Sequence, residues 1–125
     1  MNKQLKILLV EDDNFLLNMY ADKFRVEGFE VFIADNGATG LKLAKEKAPD
    51  LILLDVLLPK MSGFEVLQEL NKDQRAKNIP VILLTNLSQK EEVTKGLELG
   101  AKDFLIKAHF MPQEVVAKVK SVLKI

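Results

Sequence analysis

Four short aliphatic runs in this 125-residue chain each end in polar side chains that are suited to chemistry. Carboxylates follow the first two runs, a hydroxyl follows the third and an ammonium follows the fourth. One polar residue after a strand is ordinary, but a matching polar group after every run is a much less common pattern. The residues are Glu11, Asp12 and Asp13 after the first run, Asp55 after the second, Thr85 after the third and Lys107 after the fourth.

The chemistry that suits this set is phosphoryl transfer assisted by a divalent cation. Grouped carboxylates repel each other, and each gains proton affinity unless a cation lies between them. A site with few protein oxygens and room for water fits Mg²⁺ better than a calcium cage. A lysine and a threonine opposite the acids would then suit the negative oxygens of a phosphoryl group. A carboxylate can itself attack phosphorus, which makes Asp55 the candidate nucleophile.

The elements that must position these residues are strands covered on both faces. Unbroken aliphatic runs are typical of buried parallel strands. A weaker alternation over residues 29–34 predicts a further strand nearer an edge. Strands and helical patterns alternate about five times, which predicts a doubly wound α/β fold with helices on both faces of a parallel sheet. The buried runs are Ile7–Val10, Leu51–Leu54, Val81–Leu84 and Asp103–Ile106.

Helix boundaries follow from local signals. Ser and Glu three residues apart form capping boxes, Gly beyond an apolar stripe ends a helix, and Pro favours the first helical turn. The predicted signals are an N-cap at Asp13, a stop at Gly28, a turn into a helix at Asn36-Gly37, capping boxes at Ser62/Glu65 and Ser88/Glu91, and Pro112 at N1.

Composition bounds the class of protein. Residues 1–125 are long enough for one domain with a substantial core, and 48% of them are hydrophobic. The chain contains no cysteine, which excludes disulfides and thiolate chemistry. Acidic and basic residues balance at 18 each without a basic run, so we expect no direct nucleic-acid contact. The N-terminal apolar segment is too short and too acidic for a signal peptide or membrane insertion, which predicts a cytoplasmic protein.

The spacing of the motifs resembles the response-regulator receiver domain of two-component signalling over essentially the whole chain. The resemblance implies a five-stranded parallel sheet in the flavodoxin-like order 2-1-3-4-5. Each motif alone is weak, but the combination is highly specific. The motifs are Val10-Glu-Asp-Asp13, Leu54-Asp-Val-Leu-Leu-Pro59 with Gly63, Thr85, and Ala101-Lys-Asp-Phe104-Leu-Ile-Lys107.

The resemblance also implies a role for each site residue. A histidine kinase, a phosphotransfer protein or a small phosphodonor would supply the phosphoryl group. Mg²⁺, for which Mn²⁺ could substitute, would be the cofactor. The implied roles are phosphoacceptor for Asp55, direct metal ligand for Asp12, metal contact through water for Glu11, metal ligation by the backbone carbonyl of Leu57, and phosphoryl-oxygen binding for Thr85 and Lys107.

A switch is implied as well, in which Thr85 moves toward the phosphoryl group and the aromatic ring of Phe104 turns inward. This movement would reshape the face formed by the fourth helix, fifth strand and fifth helix, where a downstream protein target would bind. Such a domain catalyses only its own phosphorylation and dephosphorylation. It would act as a monomer or as a phosphorylation-dependent dimer.

Three departures from the family pattern have consequences. Ala108 follows Lys107 where the family has proline, which leaves a cis or a trans bond open. Apolar residues at Leu57 and Leu87, where receivers often carry polar side chains, predict slow self-dephosphorylation. Asn86 is larger than the usual small residue and would narrow access to Asp55. The lone His109 is interpreted as a loop residue.

Three other functions compete with the switch. A phosphatase of the haloacid-dehalogenase type has a similar residue set, but it needs a second acid where Leu57 stands. A flavodoxin-type flavin domain needs a phosphate-cradling loop, whereas residues 11–13 would repel phosphate. A degenerate receiver that acts as a scaffold is disfavoured by the complete set of polar residues.

Overall fold

The computed structural model describes residues 4–85, 90–107 and 111–125, and within them strands and helices alternate strictly. The strands are β1 (Lys6–Val10), β2 (Glu30–Ala34), β3 (Leu51–Asp55), β4 (Val81–Thr85) and β5 (Asp103–Ile106). The helices are α1 (Asn14–Val26), α2 (Gly37–Lys47), α3 (Gly63–Lys72), α4 (Lys90–Glu98) and α5 (Pro112–Leu123).

All neighbouring strands are parallel, and their order is β2-β1-β3-β4-β5. Leu9 lies opposite Leu53 in the β1–β3 pair, and Leu53 lies opposite Ile82 in the β3–β4 pair. The predicted fold class and strand order are both confirmed. Because all the strands run the same way, their carboxyl ends meet at one rim of the sheet.

The sheet divides the apolar residues into two cores according to strand alternation. Residues such as Ile7 and Leu53 face α1 and α5 in the first core. Residues such as Leu8 and Ile52 face α2 and α3 in the second core. We call these the α1/α5 core and the α2/α3 core. Helices cover both faces because the inner strands β1, β3 and β4 carry aliphatic residues on both sides of the sheet.

The helix termini follow the predicted local chemistry. The N-cap Asp13 accepts a hydrogen bond from the Leu16 amide at 3.1 Å, and Ser62 and Glu65 form a reciprocal capping box. Gly28 follows α1 with a φ of +96°, which a glycine adopts without strain. Pro112 occupies the first turn of α5. The second predicted capping box includes Ser88, which lies outside the described residues.

One strand differs from its sequence-based interpretation. The run Asp103–Ile106 is predicted to be buried, but only Leu105 is buried and its three neighbours are half-buried. The reason is topological, since β5 pairs only with β4 and forms an edge of the sheet. The other edge strand, β2, has the mixed burial that its weaker alternation predicts.

Within residues 4–85, 90–107 and 111–125, none of the helices has the length and apolar character required to cross a bilayer.

Candidate functional site

The predicted site residues lie along one rim because of the strand register. Asp55 ends β3 and pairs with Leu84 of β4, so Thr85 lies one residue further along the neighbouring strand. Thr85 in turn pairs with Ile106, and Lys107 follows directly. Glu11 follows Val10, which pairs with Leu54. Residues separated by up to 96 positions in the sequence therefore meet at adjacent strand ends.

Strand alternation separates the rim into two sides. Leu9, Leu53 and Leu105 belong to the α1/α5 core, and the residues two positions later on each strand are Glu11, Asp55 and Lys107. Thr85 follows the alternation of Leu83, which belongs to the α2/α3 core. The acids and the ammonium thus share the α1/α5 face, and the threonine extends from the other.

An ion-pair bridge joins the acids across the sheet. Lys107 Nζ lies 2.6 Å from Glu11 Oε1 and 2.9 Å from Asp55 Oδ2. The side chains of Glu11 and Asp55 are 1% and 6% exposed, and that of Lys107 is 16% exposed. Burial weakens solvent screening and so strengthens the attraction within this bridge, while it also removes water from all three charged groups, which opposes that gain.

Backbone amides complete the contacts of the two buried acids. Leu57 N donates to Asp55 Oδ1 at 3.3 Å, and Asp13 N donates to Glu11 Oε2 at 3.3 Å. Glu11 Oε1 is buried and faces the Lys107 ammonium. That ammonium therefore compensates the charge of this carboxylate oxygen.

The electrostatics show a site that is short of positive charge. Burial raises the pKa of Glu11 above its usual value, and Asp55 raises it further while Lys107 opposes both. The pKa of Asp12 is also raised, by burial and by Glu11. Burial alone would lower the pKa of Lys107, but its contacts with Glu11 and Asp55 outweigh burial and raise it. One ammonium does not neutralise three carboxylates.

An open groove of about 710 Å³ gives access to this cluster. Glu11, Asp12 and Asp55 each offer a carboxylate oxygen within 4.8 Å of the others. Three hard oxygen donors and raised carboxyl pKa values fit a hard divalent cation. The groove is lined by Glu11, Asp12, Asp13, Leu16, Asp55, Leu57 and Lys107.

The remaining predicted site residues lie beside this groove or outside the described ranges. Thr85 is 1% exposed, and Phe104 is half-buried against the α2/α3 core. The predictions that concern Asn86, Leu87, the bond to Ala108, and His109 lie outside the described residues.

Sequence reasoning missed Leu16 as a lining residue of the groove. Its position in the sequence could have indicated this. Leu16 follows Asp12 by four residues and lies in the first turn of α1, so its side chain is close to the acidic segment.

Comparison with known proteins identifies the class. Residues 7–120 match the response regulator receiver domain family. The chain belongs to this family, whose members are phosphoacceptor signalling domains of two-component systems. This membership decides against the haloacid-dehalogenase and flavodoxin alternatives.

Curated relatives are longer than this chain. It is 40% identical over 124 residues to the alkaline phosphatase synthesis transcriptional regulatory protein PhoP of Bacillus subtilis, covering 99% of this chain and 50% of PhoP. It is 38% identical over 119 residues to the DNA-binding dual master transcriptional regulator RpaA of Synechocystis, covering 95% of this chain and 49% of RpaA. The chain spans about half the length of these relatives.

Solved receiver structures match along nearly their whole length. Chemotaxis response regulator CheY4 of Vibrio cholerae has a TM-score of 0.89 at 28% identity, with 96% of this chain and 99% of CheY4 covered. The receiver domain of sensor histidine kinase PA1611 from Pseudomonas aeruginosa has a TM-score of 0.85 at 25% identity, with 95% and 97% covered. The PA1611 structure contains a magnesium ion coordinated in its active-site cleft.

Proposed function

We propose that this chain is a phosphorylation-activated switch whose phosphoacceptor is Asp55. The observation that supports this most strongly is the buried bridge from Lys107 to both Asp55 and Glu11. An ammonium 2.9 Å from the candidate nucleophile is well sited to bind the oxygens of a phosphoryl group attached there. Family membership makes phosphoryl acceptance the expected chemistry for such a site.

Mg²⁺ is the proposed cofactor. Asp12 and Asp55 would ligate the ion directly, Glu11 would contact it through water, and the Leu57 carbonyl would complete the protein ligands. When bound, the ion offsets the charge of the carboxylates and stabilises negative charge on the phosphoryl oxygens. The support comes from the three converging carboxylates and from the magnesium in PA1611. Mn²⁺, also a hard cation, would substitute.

The proposed transfer step begins with a carboxylate oxygen of Asp55 attacking the phosphorus of a phosphohistidine. The new O–P bond forms as the P–N bond breaks, and the electron pair of that bond stays on the imidazole nitrogen, which takes a proton from water. Lys107 then exchanges part of its carboxylate contact for phosphoryl oxygens. The hydroxyl of Thr85, on the adjacent strand end, donates to another phosphoryl oxygen.

The proposed partners are a histidine kinase or phosphotransfer protein as donor and a downstream protein as target. Movement of Thr85 would let Phe104 turn inward, which would change the face formed by α4, β5 and α5. The domain would work as a monomer or as a phosphorylation-dependent dimer. PhoP and RpaA are named as transcriptional regulators, which favours transcriptional control as the output.

Intact-mass spectrometry after incubation with acetyl phosphate and Mg²⁺ tests the acceptor. We expect one phosphate-sized mass gain in wild type, no gain in Asp55→Asn, and no gain in wild type with EDTA. Asp22→Asn is the matched control because Asp22 is an exposed acid on α1, and it should behave as wild type. A gain that persists in Asp55→Asn would refute the assignment, and no gain in wild type would favour a scaffold.

The apolar side chain of Leu57 predicts slow self-dephosphorylation. Leu57 lies at the groove, is 56% exposed and offers no polar atom to orient an attacking water. Introducing such an atom with Leu57→Asn should increase the rate of phosphate loss by about tenfold, below the roughly 10²–10⁴-fold of a general base, because an amide orients water without taking its proton. Loss of the label from purified phosphoprotein measures this rate, and equally rapid loss in wild type and variant would contradict the prediction.

A further inference from the structure

The loop between β3 and α3, residues 56–62, carries the backbone of Leu57 into the functional site. The Leu57 amide donates to Asp55 Oδ1 at 3.3 Å, and the Leu57 carbonyl is a proposed ligand of Mg²⁺. The side chain of Leu57 is 56% exposed, so its packing does little to fix this backbone. Another part of the molecule must therefore hold the loop in place.

A tight turn in this loop has a strained backbone. Met61 N donates to Pro59 O at 2.7 Å, which closes a three-residue γ-turn around Lys60. Lys60 has a φ of +69°, in the left-handed region that favours glycine and is uncommon for a long side chain. Strained conformations of this kind persist only where the surrounding structure holds them. The side chains of Pro59 and Lys60 are exposed, so the contact that holds the turn must involve its backbone.

The first residue of α2 supplies this contact. Gly37 N donates to Pro59 O at 3.3 Å, so the same carbonyl accepts from both Met61 and Gly37. The Gly37 amide is free for this bond because the first amides of a helix have no acceptor within the helix. Gly37 is buried, and a Cβ there would overlap the carbonyl oxygen of Met61. Only glycine therefore lets the backbone of α2 approach the turn this closely.

The start of α2 is itself fixed at the rim of the sheet. Asn36, which precedes Gly37, is 7% exposed and caps the helix by accepting from Thr39 N at 2.9 Å. The end of β2 is joined to the acidic segment, because Glu11 N donates to Ala34 O at 3.0 Å. The Gly37 amide thus belongs to an element that is anchored beside the functional site.

We propose that Gly37 is a positioning residue for the metal site, because its contact with the turn at Lys60 fixes the backbone of Leu57. With the turn held, the Leu57 amide keeps its bond to Asp55, and the Leu57 carbonyl has one orientation before Mg²⁺ binds. This role rests on the proposed function in its use of Mg²⁺, whereas the control of the Leu57 backbone by Gly37 is independent of any metal.

The first test is the Mg²⁺ affinity of Gly37→Ala, measured by isothermal titration calorimetry. The added methyl group displaces the backbone of Met61, so we expect the dissociation constant to rise on the order of tenfold, as for other groups that orient metal ligands. Gly40→Ala is the matched control, since Gly40 is a buried glycine of the same helix whose Cβ would lie 2.8 Å from Val10 Cγ2. It adds the same methyl group against a side chain and should leave the Mg²⁺ affinity unchanged.

The second test changes the turn without touching α2. Proline fixes φ near about −65°, so Lys60→Pro cannot keep the turn, whereas Lys60→Gly adopts a positive φ without strain. Both variants remove the same exposed side chain and should fold. We expect Lys60→Pro to weaken Mg²⁺ binding on the order of tenfold and Lys60→Gly to bind as wild type does. Equal affinities in these two variants overturn the proposal, as does wild-type affinity in folded Gly37→Ala. If Gly37→Ala does not fold, the Lys60 pair decides.

Amide chemical shifts of the metal-free proteins give a readout that does not depend on Mg²⁺. The shift of the Leu57 amide should change in Gly37→Ala and in Lys60→Pro, and it should stay at the wild-type position in Gly40→Ala and in Lys60→Gly. An unchanged Leu57 shift in Gly37→Ala and Lys60→Pro contradicts the proposal. If wild type binds no Mg²⁺, the proposed function fails, and these shifts still decide whether Gly37 controls the Leu57 backbone.

Discussion

The centre of the sheet and its β5 edge hold their rim residues in different ways. Every residue of β3 is buried, and Asp55 at its end is 4% exposed. In the edge strand β5 only Leu105 is buried, and α4 buries only Gly96. The proposed nucleophile thus rests on a fully buried strand, whereas two elements of the proposed signalling face, β5 and α4, each bury a single residue.

This difference suits a switch, because catalysis and signalling need opposite mechanical properties. Transferring a phosphoryl group requires acids and a lysine that stay in place, which close packing provides. Signalling requires an element with two packings of similar energy. Gly96 lies where α4 meets Leu83 of β4, two residues before Thr85, so that contact connects the two regions.

The largest expected effect compares one leucine from each region. Leu53→Ala removes a fully buried side chain from β3 and should lower the free energy of unfolding by about 2–5 kcal/mol. Leu97→Ala, at a position in α4 that is 41% exposed, should change it by no more than about 0.5 kcal/mol. Urea denaturation measures both. Similar losses in the two variants would contradict the contrast between the regions.

A smaller effect is expected from a methyl group placed between α4 and β4. A Cβ at Gly96 would clash with Cδ1 of the fully buried Leu83, so either that side chain or α4 must shift. Overpacking costs about 1–3 kcal/mol, and the higher helix propensity of alanine offsets about 1 kcal/mol of that cost. Gly96→Ala should therefore lower the free energy of unfolding by roughly 1 kcal/mol.

Amide chemical shifts provide the second measurement on Gly96→Ala. They should change along α4 and β4 while those around Glu11 stay fixed. Thr94→Ala, at an exposed position of the same helix, is the control for helix propensity. Shift changes that spread evenly over the sheet would show that the two regions are not mechanically distinct.

The smallest expected effect is a pH dependence of the free energy of unfolding, which arises from the carboxylates at the rim of the sheet. The pKa of folded Glu11 lies above the value of 4.5 for the free group, mainly because of burial. Between these two values the folded chain binds more protons than the unfolded chain, so stability falls as pH rises through that window. The effect is small because Lys107 offsets part of the burial cost.

Metal-free urea titrations at pH values from 5 to 8 measure this dependence. Wild type should become more stable as the pH is lowered toward 5, and Glu11→Gln should weaken that trend, leaving the contribution of Asp12, whose pKa burial also raises. Lys107 should not contribute there, since its raised pKa is above 10.5 and the stability it adds is lost only in strong alkali. A trend that is identical in both chains would assign the effect to other groups.

Most of the site follows from the sequence because it depends on strand ends. An aliphatic run identifies a strand, parallel direction puts its carboxyl end at the rim, and a polar residue there must join the others. That logic applies to Asp55 and Lys107, which are 52 positions apart and in contact. The capping signals at Asp13 and Ser62 are equally local and are confirmed.

Other features depend on tertiary contacts that no local pattern encodes. Edge position decides the half-burial of Phe104, since an aliphatic run looks the same at an edge as at the centre. The sharing of Lys107 between Glu11 and Asp55 depends on rotamers and register together.

The most direct test of the central claim is to locate the phosphoryl group on the chain. Acyl phosphates are reduced by borohydride, so treatment of the Mg²⁺- and acetyl-phosphate-exposed protein should convert the modified aspartate to homoserine. Peptide mass spectrometry should then find this conversion at Asp55 and not at Asp12 or Asp13. Conversion at another acid, with Asp55 unchanged, would contradict the account.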